Sequence, residues 1–168
     1  MKTGIIPGFV YDCEIIGKDG RVIESFRQEN IIPLQGIGFI ASLLLGSGAV
    51  PTDSWYVGLL NSGFSVNENS TLQGAAAAEN TDYTATSNHR KVWDYVYDNE
   101  YEITNIASRA EFEFEEETTI YGAFLSNIIN RAEHSGGVLL SVASFSSPKT
   151  IEAGATLRVK CGITLSTT

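Results

Sequence analysis

The sequence predicts a mainly β protein, folded as an antiparallel, jelly-roll-like β-sandwich with one short helix at residues 33–45. Two observations support this fold class. Short runs rich in β-branched and aromatic residues recur between turn residues, and only one segment carries a helical period. The last third of the chain holds five such runs, at residues 108–116, 119–126, 137–145, 150–152 and 156–166.

Length and composition indicate one globular domain. The chain has 168 residues, of which 43% are hydrophobic and 18% charged, and no low-complexity linker divides it. We expect a single β-sandwich at residues 9–168, preceded by an extended arm at residues 1–8 that contains Pro7. The formal net charge is −9 with scattered basic residues. This charge disfavours a nucleic-acid partner, because phosphate binding needs clustered Lys and Arg.

A β-hairpin is predicted near the start of the domain. Residues 9–16 have the composition of a strand, and residues 21–26 alternate as its partner. The turn between them, at residues 17–20, contains the Asp19-Gly20 pair, which hairpins favour.

Residues 30–46 change to a helical period, with Pro33 near the first turn and Gly46 as a stop. The helix is apolar nearly all round, so it must be covered on more than one side. We expect it to lie in the core, with a subunit contact as the alternative. One helical face carries Leu34, Ile37, Ala41, Leu44 and Leu45. The stretch 31–45 is shorter than the roughly 20 residues of a membrane span, so no membrane is expected.

The middle of the chain is less regular. Residues 54–60 are predicted as a strand with Trp55, Val57 and Leu59 on one face. Residues 61–88 form a polar insert, which we predict to lack core residues and to be poorly ordered alone. Residues 91–97 are predicted as another strand, and residues 101–106 lead into the last third.

Two cysteines, Cys13 and Cys161, lie in strand-like runs near opposite ends of the sequence. A disulfide is possible if the terminal strands are neighbours. We favour two buried thiols that act as small hydrophobes.

An acidic cluster marks the strand at residues 108–116. Its members are Glu111, Glu113, Glu115, Glu116 and Glu117. On a strand, the first three share one face, while Phe112 and Phe114 share the other. The pattern is typical of a solvated face opposite a buried one. A cation site, or a patch that docks on a basic surface, is the alternative.

No enzymatic signature is present, so we expect neither catalysis, nor a cofactor, nor a metal. His89 and His134 stand in polar surroundings without a nucleophile, zinc or phosphate-binding motif, which indicates surface histidines. Residues 94–102 resemble a calcium loop only in composition. Trp55 and Trp93 would form a sugar-binding platform if they were exposed.

The order of motifs over residues 50–168 resembles small virion structural proteins of tailed bacteriophages. The residues that carry the resemblance are Trp55-x-Val57-Gly58-Leu59, Tyr83, residues 89–93 and 105–114, Gly122-x-Phe124-Leu125, residues 137–145 and the final strand at residues 154–166. In such proteins, the W-x-V-G-L, G-x-F-L and final strands belong to one β-sandwich. The resemblance implies a non-enzymatic part of a particle, assembled in the host cytoplasm.

Within that class we expect a capsid decoration or cement protein, with a tail, collar or baseplate component as the alternative. A carbohydrate-binding module and a hydrolase are alternatives of other classes. The expected partners are the major capsid protein or other virion proteins, together with further copies in a homo-oligomer. We predict contacts through Ile5, Ile6 and Pro7 of the arm, and secondarily through Glu111, Glu113 and Glu115.

Overall fold

The computed structural model describes residues 5–85, 87–98 and 102–167, which form a mainly β fold with two helices. The first half contains β1 (Ile5–Ile16), β2 (Val22–Glu29), α1 (Leu34–Leu45), β3 (Tyr56–Leu60), α2 (Leu72–Ala77) and β4 (Glu79–Asn80). The second half contains β5 (Lys91–Val92), β6 (Val96–Tyr97), β7 (Glu102–Thr104), β8 (Ala110–Glu113), β9 (Thr118–Ser126), β10 (Leu139–Ile151) and β11 (Thr156–Thr167).

The strands form two antiparallel sheets. The first has the order β2-β1-β11-β7-β6, with β8 also paired to β11, and the second has the order β10-β9-β3-β4, with β5 also paired to β3. A shared core joins side chains of both sheets, among them Tyr11 and Phe112 of the first and Val57 and Ile120 of the second. The predicted antiparallel, sandwich-like fold is confirmed. This strand order does not confirm the finer prediction of a jelly roll.

The predicted hairpin is confirmed. β1 and β2 pair antiparallel, and the backbone N–H of Gly17 donates to the carbonyl oxygen of Arg21 at 2.8 Å. Gly20 adopts φ 78°, which a residue without Cβ reaches at no steric cost. β1 begins at Ile5, before the predicted start at Phe9, because it pairs along its whole length with β11.

Two predicted segments have different bounds in the structure. The runs at residues 137–145 and 150–152 belong to one strand, β10, which carries a register shift between Ser144 and Lys149. Residues 91–97 form two short strands instead of one: β5 pairs with β3 in the second sheet, and β6 pairs with β7 in the first. Trp93 lies between β5 and β6, where the chain passes from the second sheet to the first. Its indole N–H donates to the carbonyl oxygen of Cys161 at 2.9 Å.

The prediction that residues 61–88 lack core residues is wrong. Helix α2 buries Leu72, Ala75 and Ala76, and Leu72 packs in a second cluster with Phe124 and Leu139. The cap residue Thr71 accepts a hydrogen bond from the backbone N–H of Gly74 at 3.3 Å. Short apolar stretches within the polar sequence therefore close one side of the second sheet.

A buried ion pair fixes the end of this insert. Arg90 donates two hydrogen bonds of 2.8 Å to the two carboxylate oxygens of Glu79, and neither side chain is exposed. The guanidinium also donates to the carbonyl oxygens of Ile128 at 2.7 Å and Glu133 at 3.0 Å. The Glu79 carboxylate accepts from the backbone N–H of Ala132 at 2.7 Å. Both charges are thus partnered, as burial requires.

The two cysteines are free and buried, which confirms the interpretation as two thiols. They lie on adjacent strands, where Cys13 is opposite Val159 and Tyr11 is opposite Cys161. Burial, as the largest cause, raises the pKa of both thiols.

Candidate interaction surface

Helix α1 has the predicted bounds, and its two ends are defined by the backbone. Pro33 precedes the first turn in an extended conformation, and its carbonyl oxygen accepts from the N–H of Ile37 at 3.0 Å. Gly46 ends the helix with φ 62°, and the N–H of Ser47 reaches back to the carbonyl oxygen of Ser42 at 3.0 Å. Across residues 5–85, 87–98 and 102–167, no helix has the length and apolar character to cross a membrane.

The inner face of α1 rests on the start of β10. Gly36 is buried, and a Cβ there would lie 2.6 Å from the carbonyl oxygen of Leu140, so the helix approaches the strand closely. The Gln35 side chain accepts from the backbone N–H groups of Leu139 at 2.9 Å and Leu72 at 3.0 Å. Phe39 contacts Trp55 edge-on, with 5.5 Å between ring centroids. The orientation of α1 is therefore fixed.

The outer face of α1 is exposed and apolar. Leu44 is 83% exposed, Leu45 78%, Leu34 56% and Ile37 50%. The interpretation of α1 as a core helix is wrong for this face. The inner side of the helix packs on β10 and, through Phe39 and Ile40, on the core, while Gln35 bonds to Leu72 of the insert. We call the outer face, with Val50 in the following loop, the α1 surface.

A groove of about 460 Å³ continues the α1 surface towards the start of β1. Ile32 and Ile37 line one side, and Phe9 and Val10 line the other, while Glu29 supplies a charge at the end of β2. The lining is predominantly apolar.

Beyond the groove, β1 and β11 continue as a ribbon of residues 5–8 and 164–167, in which Thr164 also pairs with Glu102 of β7. Ile5 is opposite Thr167 and Gly8 is opposite Thr164, whereas pairing with β2 begins only at Val10. In the described part of the chain, residues 5–8 pair with β11 alone. The predicted contact residues Ile5, Ile6 and Pro7 therefore lie on a ribbon with an unpaired edge. Such edges accept strands from another chain.

The acidic cluster lies at the other end of β11. β8 pairs with residues 156–159, so Glu111 is opposite Arg158, whereas Pro7 is opposite Leu165. Seven residues separate these two positions of β11, which corresponds to about 24 Å along a strand. The structure therefore does not bring the two groups of predicted contact residues together.

The predicted alternation within the cluster is confirmed. Glu111 and Glu113 are exposed, whereas Phe112 and Phe114 are buried. Glu111 pairs with Arg158 at 2.7 Å, and Glu115 accepts a hydrogen bond from Thr84 at 3.4 Å. No group of His, Cys, Asp or Glu side chains in the described ranges has the arrangement of a metal site.

Beside the cluster, a polar pocket of about 550 Å³ is lined by residues 115–117, Asp82 and Arg131. The Arg131 guanidinium lies 4.1 Å from the ring centroid of Tyr83 and donates to backbone carbonyl oxygens, including that of Thr81 at 2.6 Å. The Tyr83 hydroxyl is buried without a hydrogen-bond partner, and burial raises its pKa. Arg131 therefore supports the insert.

Both histidines are exposed, which confirms the prediction of surface positions. Glu133, next to His134, accepts hydrogen bonds from the backbone N–H groups of Ser135 at 3.1 Å and His134 at 3.2 Å. These bonds lower the pKa of the Glu133 carboxyl. The proposed sugar platform is not formed by the two tryptophans, because Trp55 and Trp93 are buried.

The groove and the anchoring of α1 were not predicted from the sequence. Gln35 and Gly36 are a polar and a small residue on a mostly apolar helix, but Gly38, Ala41 and Ser42 give the same kind of signal on other sides. This signal marks an inner face only once the position of β10 is known.

The motifs of the predicted sandwich occupy neighbouring positions. Trp55-x-Val57-Gly58-Leu59 runs into β3, which pairs with the Gly122-x-Phe124-Leu125 strand β9, and the final motif is β11 in the facing sheet. No protein-family model matches this chain, and no curated protein matches its sequence.

Proposed function

We propose that this chain is a non-enzymatic structural protein of a tailed-bacteriophage virion, a capsid decoration or cement protein that stabilises the head. One observation carries the proposal: an exposed apolar helix, an apolar groove and a strand ribbon form a continuous surface at one end of a rigid sandwich. A surface of this kind marks a site of contact with another protein.

The sequence around this surface supports a protein partner. Residues 30–52 contain no charged residue, although the whole chain carries a formal net charge of −9. An apolar patch without charges gains free energy when a neighbour removes it from water. In this proposal, the major capsid protein or another virion protein contacts the groove and the ribbon of this surface.

The ribbon supplies a means of attachment. Among the described residues, the edge of residues 5–8 away from β11 is unpaired, and its backbone donors and acceptors, apart from the missing N–H of Pro7, could bind a partner strand. Ile5, Ile6 and Pro7 are the contact residues of the ribbon in this proposal. Assembly would take place in the host cytoplasm, where free thiols such as Cys13 and Cys161 persist.

The test begins with purified particles. The chain is expected on the head of the virion, and its presence in infected cells but absence from particles would overturn the proposal. Recovery with isolated tails instead of heads would assign it to the alternative of the same class, a tail, collar or baseplate component.

Deletion of residues 1–8 tests the attachment. This deletion removes half of the ribbon but leaves Phe9 and the pairing of β1 with β2, so the isolated fold is expected to persist while particle binding falls. The matched control replaces Glu111, Glu113 and Glu115 with Gln. If attachment used the acidic cluster, this control would lose binding and the binding of the full chain would weaken as salt rises. Full binding by the truncated chain would contradict the role of the ribbon.

A further inference from the structure

We propose that the α1 surface binds a second copy of this chain, with the two α1 helices packed antiparallel about a two-fold axis. This inference concerns the free chain, and it stands whether or not the chain belongs to a virion.

The residues along the centre of the α1 surface are arranged symmetrically. Leu34, Gly38, Ala41 and Leu45 follow one line on the helix, with spacings of four, three and four residues. The small residues are in the middle, and the large ones are at both ends. An antiparallel copy would place Leu34 beside Leu45 of the second copy, and Gly38 beside its Ala41. A two-fold interface requires such a self-complementary patch.

The centre of this line permits close approach. Gly38 is exposed, and a Cβ placed there would meet nothing within 4 Å. Ala41 is exposed as well. A second helix can therefore approach to the short end of the 8–10 Å range of interaxial distances, while Ile37 and Leu44 pack along the flank.

Charge favours a second copy over a charged partner. Two chains with a formal net charge of −9 repel each other, and residues 30–52 themselves contribute no charged side chain to a contact. A lipid surface does not fit, because anionic headgroups attract Lys and Arg, and this stretch has neither. A second copy offers by construction the same uncharged apolar face.

The exposed area suits a small dimer interface. Five large side chains of the α1 surface are between 50% and 83% exposed: Leu34, Ile37, Leu44, Leu45 and Val50. At roughly 60–120 Å² of apolar area for each complete side chain, they present on the order of 200–400 Å² per copy. The low end of stable interfaces buries about 600 Å² per partner, of which roughly 65% is apolar in homodimers. We therefore expect a dimer with a dissociation constant between about 1 μM and 100 μM.

Sedimentation of the purified full chain over a range of concentrations tests the proposal. Ala41→Glu places two carboxylates near the two-fold axis, and we expect it to raise the dissociation constant about a hundredfold. The matched control is Ile106→Glu, which changes a 53% exposed side chain outside the α1 surface and should leave the constant unchanged. An unmodified chain that stays monomeric at about 0.1 mM would overturn the proposal. Equal association of both variants would also overturn it.

The antiparallel arrangement has its own test. Leu34→Cys and Leu45→Cys chains, mixed under oxidising conditions, should form a mixed disulfide dimer, whereas Leu34→Cys alone should not. In the antiparallel pair, the two copies of residue 34 are about 16 Å apart along the axis, since each residue rises 1.5 Å. The native Cys13 and Cys161 are buried and do not interfere. Efficient cross-linking of Leu34→Cys with itself would show a parallel pair of helices and contradict the antiparallel arrangement.

Particle binding separates this proposal from the proposed function. A chain that is monomeric in solution, but whose Ala41→Glu variant no longer binds particles, would assign the α1 surface to a virion protein and overturn self-association. If the chain is dimeric but absent from virions, the result would support self-association and contradict the proposed function.

Discussion

Helices α1 and α2 both lie near the start of β10, yet they place their apolar side chains differently. Gln35 of α1 accepts hydrogen bonds from the backbone N–H groups of Leu72, the first residue of α2, and of Leu139 in β10. α2 buries its leucine and two of its alanines in only six residues. α1 is twice as long, and the one residue of its helix that is fully buried is Gly36.

The difference separates the residues that hold the fold from those available to a partner. α2 stabilises the sandwich through burial, because Leu72 packs with Phe124 and Leu139. α1 is held by a glycine, a glutamine and an aromatic contact, so its leucines are free for another surface. The following predictions test this division of roles, from the largest expected effect to the smallest.

Removing one charge of the buried ion pair should cause the largest loss in the free energy of unfolding. Glu79→Gln leaves the fully buried Arg90 guanidinium without its counter-charge, and we expect a loss of about 3–5 kcal/mol in the free energy of unfolding. The matched control is Glu111→Gln, which breaks the half-exposed pair with Arg158 and should cost under about 1 kcal/mol. Denaturant unfolding measures both. Equal losses would show that Arg90 and Glu79 do not fix the insert.

Shortening Leu72, the first residue of α2, should give the next largest loss of stability. Leu72→Ala removes a side chain with no exposure, and we expect a loss of about 2–5 kcal/mol. The control Val50→Ala changes a side chain that is 78% exposed, and should stay within about 0.5 kcal/mol of the unmodified chain. A small loss for Leu72→Ala would mean that α2 contributes little to the core.

Two glycines of α1 should respond in opposite directions. Gly36→Ala forces a Cβ to within 2.6 Å of the Leu140 carbonyl oxygen, and we expect it to destabilise the fold by about 1–3 kcal/mol. Gly38→Ala meets nothing within 4 Å and should stabilise the helix by roughly 0.5–1 kcal/mol. Thermal unfolding of both variants gives the sign. The same sign for both would contradict the assignment of inner and outer faces.

The buried thiols should make the fold weaker in alkali. Burial raises the folded pKa of Cys13 and Cys161, so the unfolded chain loses these protons first. Their contribution is fully present below the unfolded pKa of about 8.5 and decreases as the pH rises above it. The melting temperature should therefore fall between about pH 8 and pH 10, and less steeply in Cys13→Ala. If the melting temperature falls equally steeply with pH in Cys13→Ala and in the unmodified chain, the effect belongs to other groups, such as buried Tyr11.

The hairpin, the bounds of α1 and the alternation in β8 could be predicted because they depend on local signals. Asp19-Gly20 marks a turn, Pro33 and Gly46 flank the helix, and Phe112 with Phe114 defines one strand face. These local patterns do not depend on which other element the helix or strand packs against.

The roles of α1 and the insert could not be predicted, because they depend on contacts distant in sequence. α2 has only six residues, which are too few to show a helical period. Glu79 and Arg90 can be recognised as an ion pair only once both side chains are known to be buried. In α1, apolar residues surround nearly the whole helix, so the pattern does not distinguish the side that meets β10 from the exposed side. The acidic cluster and the ribbon are likewise separated by the register of β11, which composition does not encode.

The central claim is that the outer face of α1 serves a contact outside its own fold. The free energy of unfolding of the double variant Leu44→Gln, Leu45→Gln tests it most directly, at a protein concentration low enough to keep the chain monomeric. Both side chains are at least 78% exposed, and Gln has nearly the helix propensity of Leu. We expect a free energy of unfolding within about 0.5 kcal/mol of that of the unmodified chain. A loss of more than about 2 kcal/mol would show that these leucines are part of the core, and would contradict the claim.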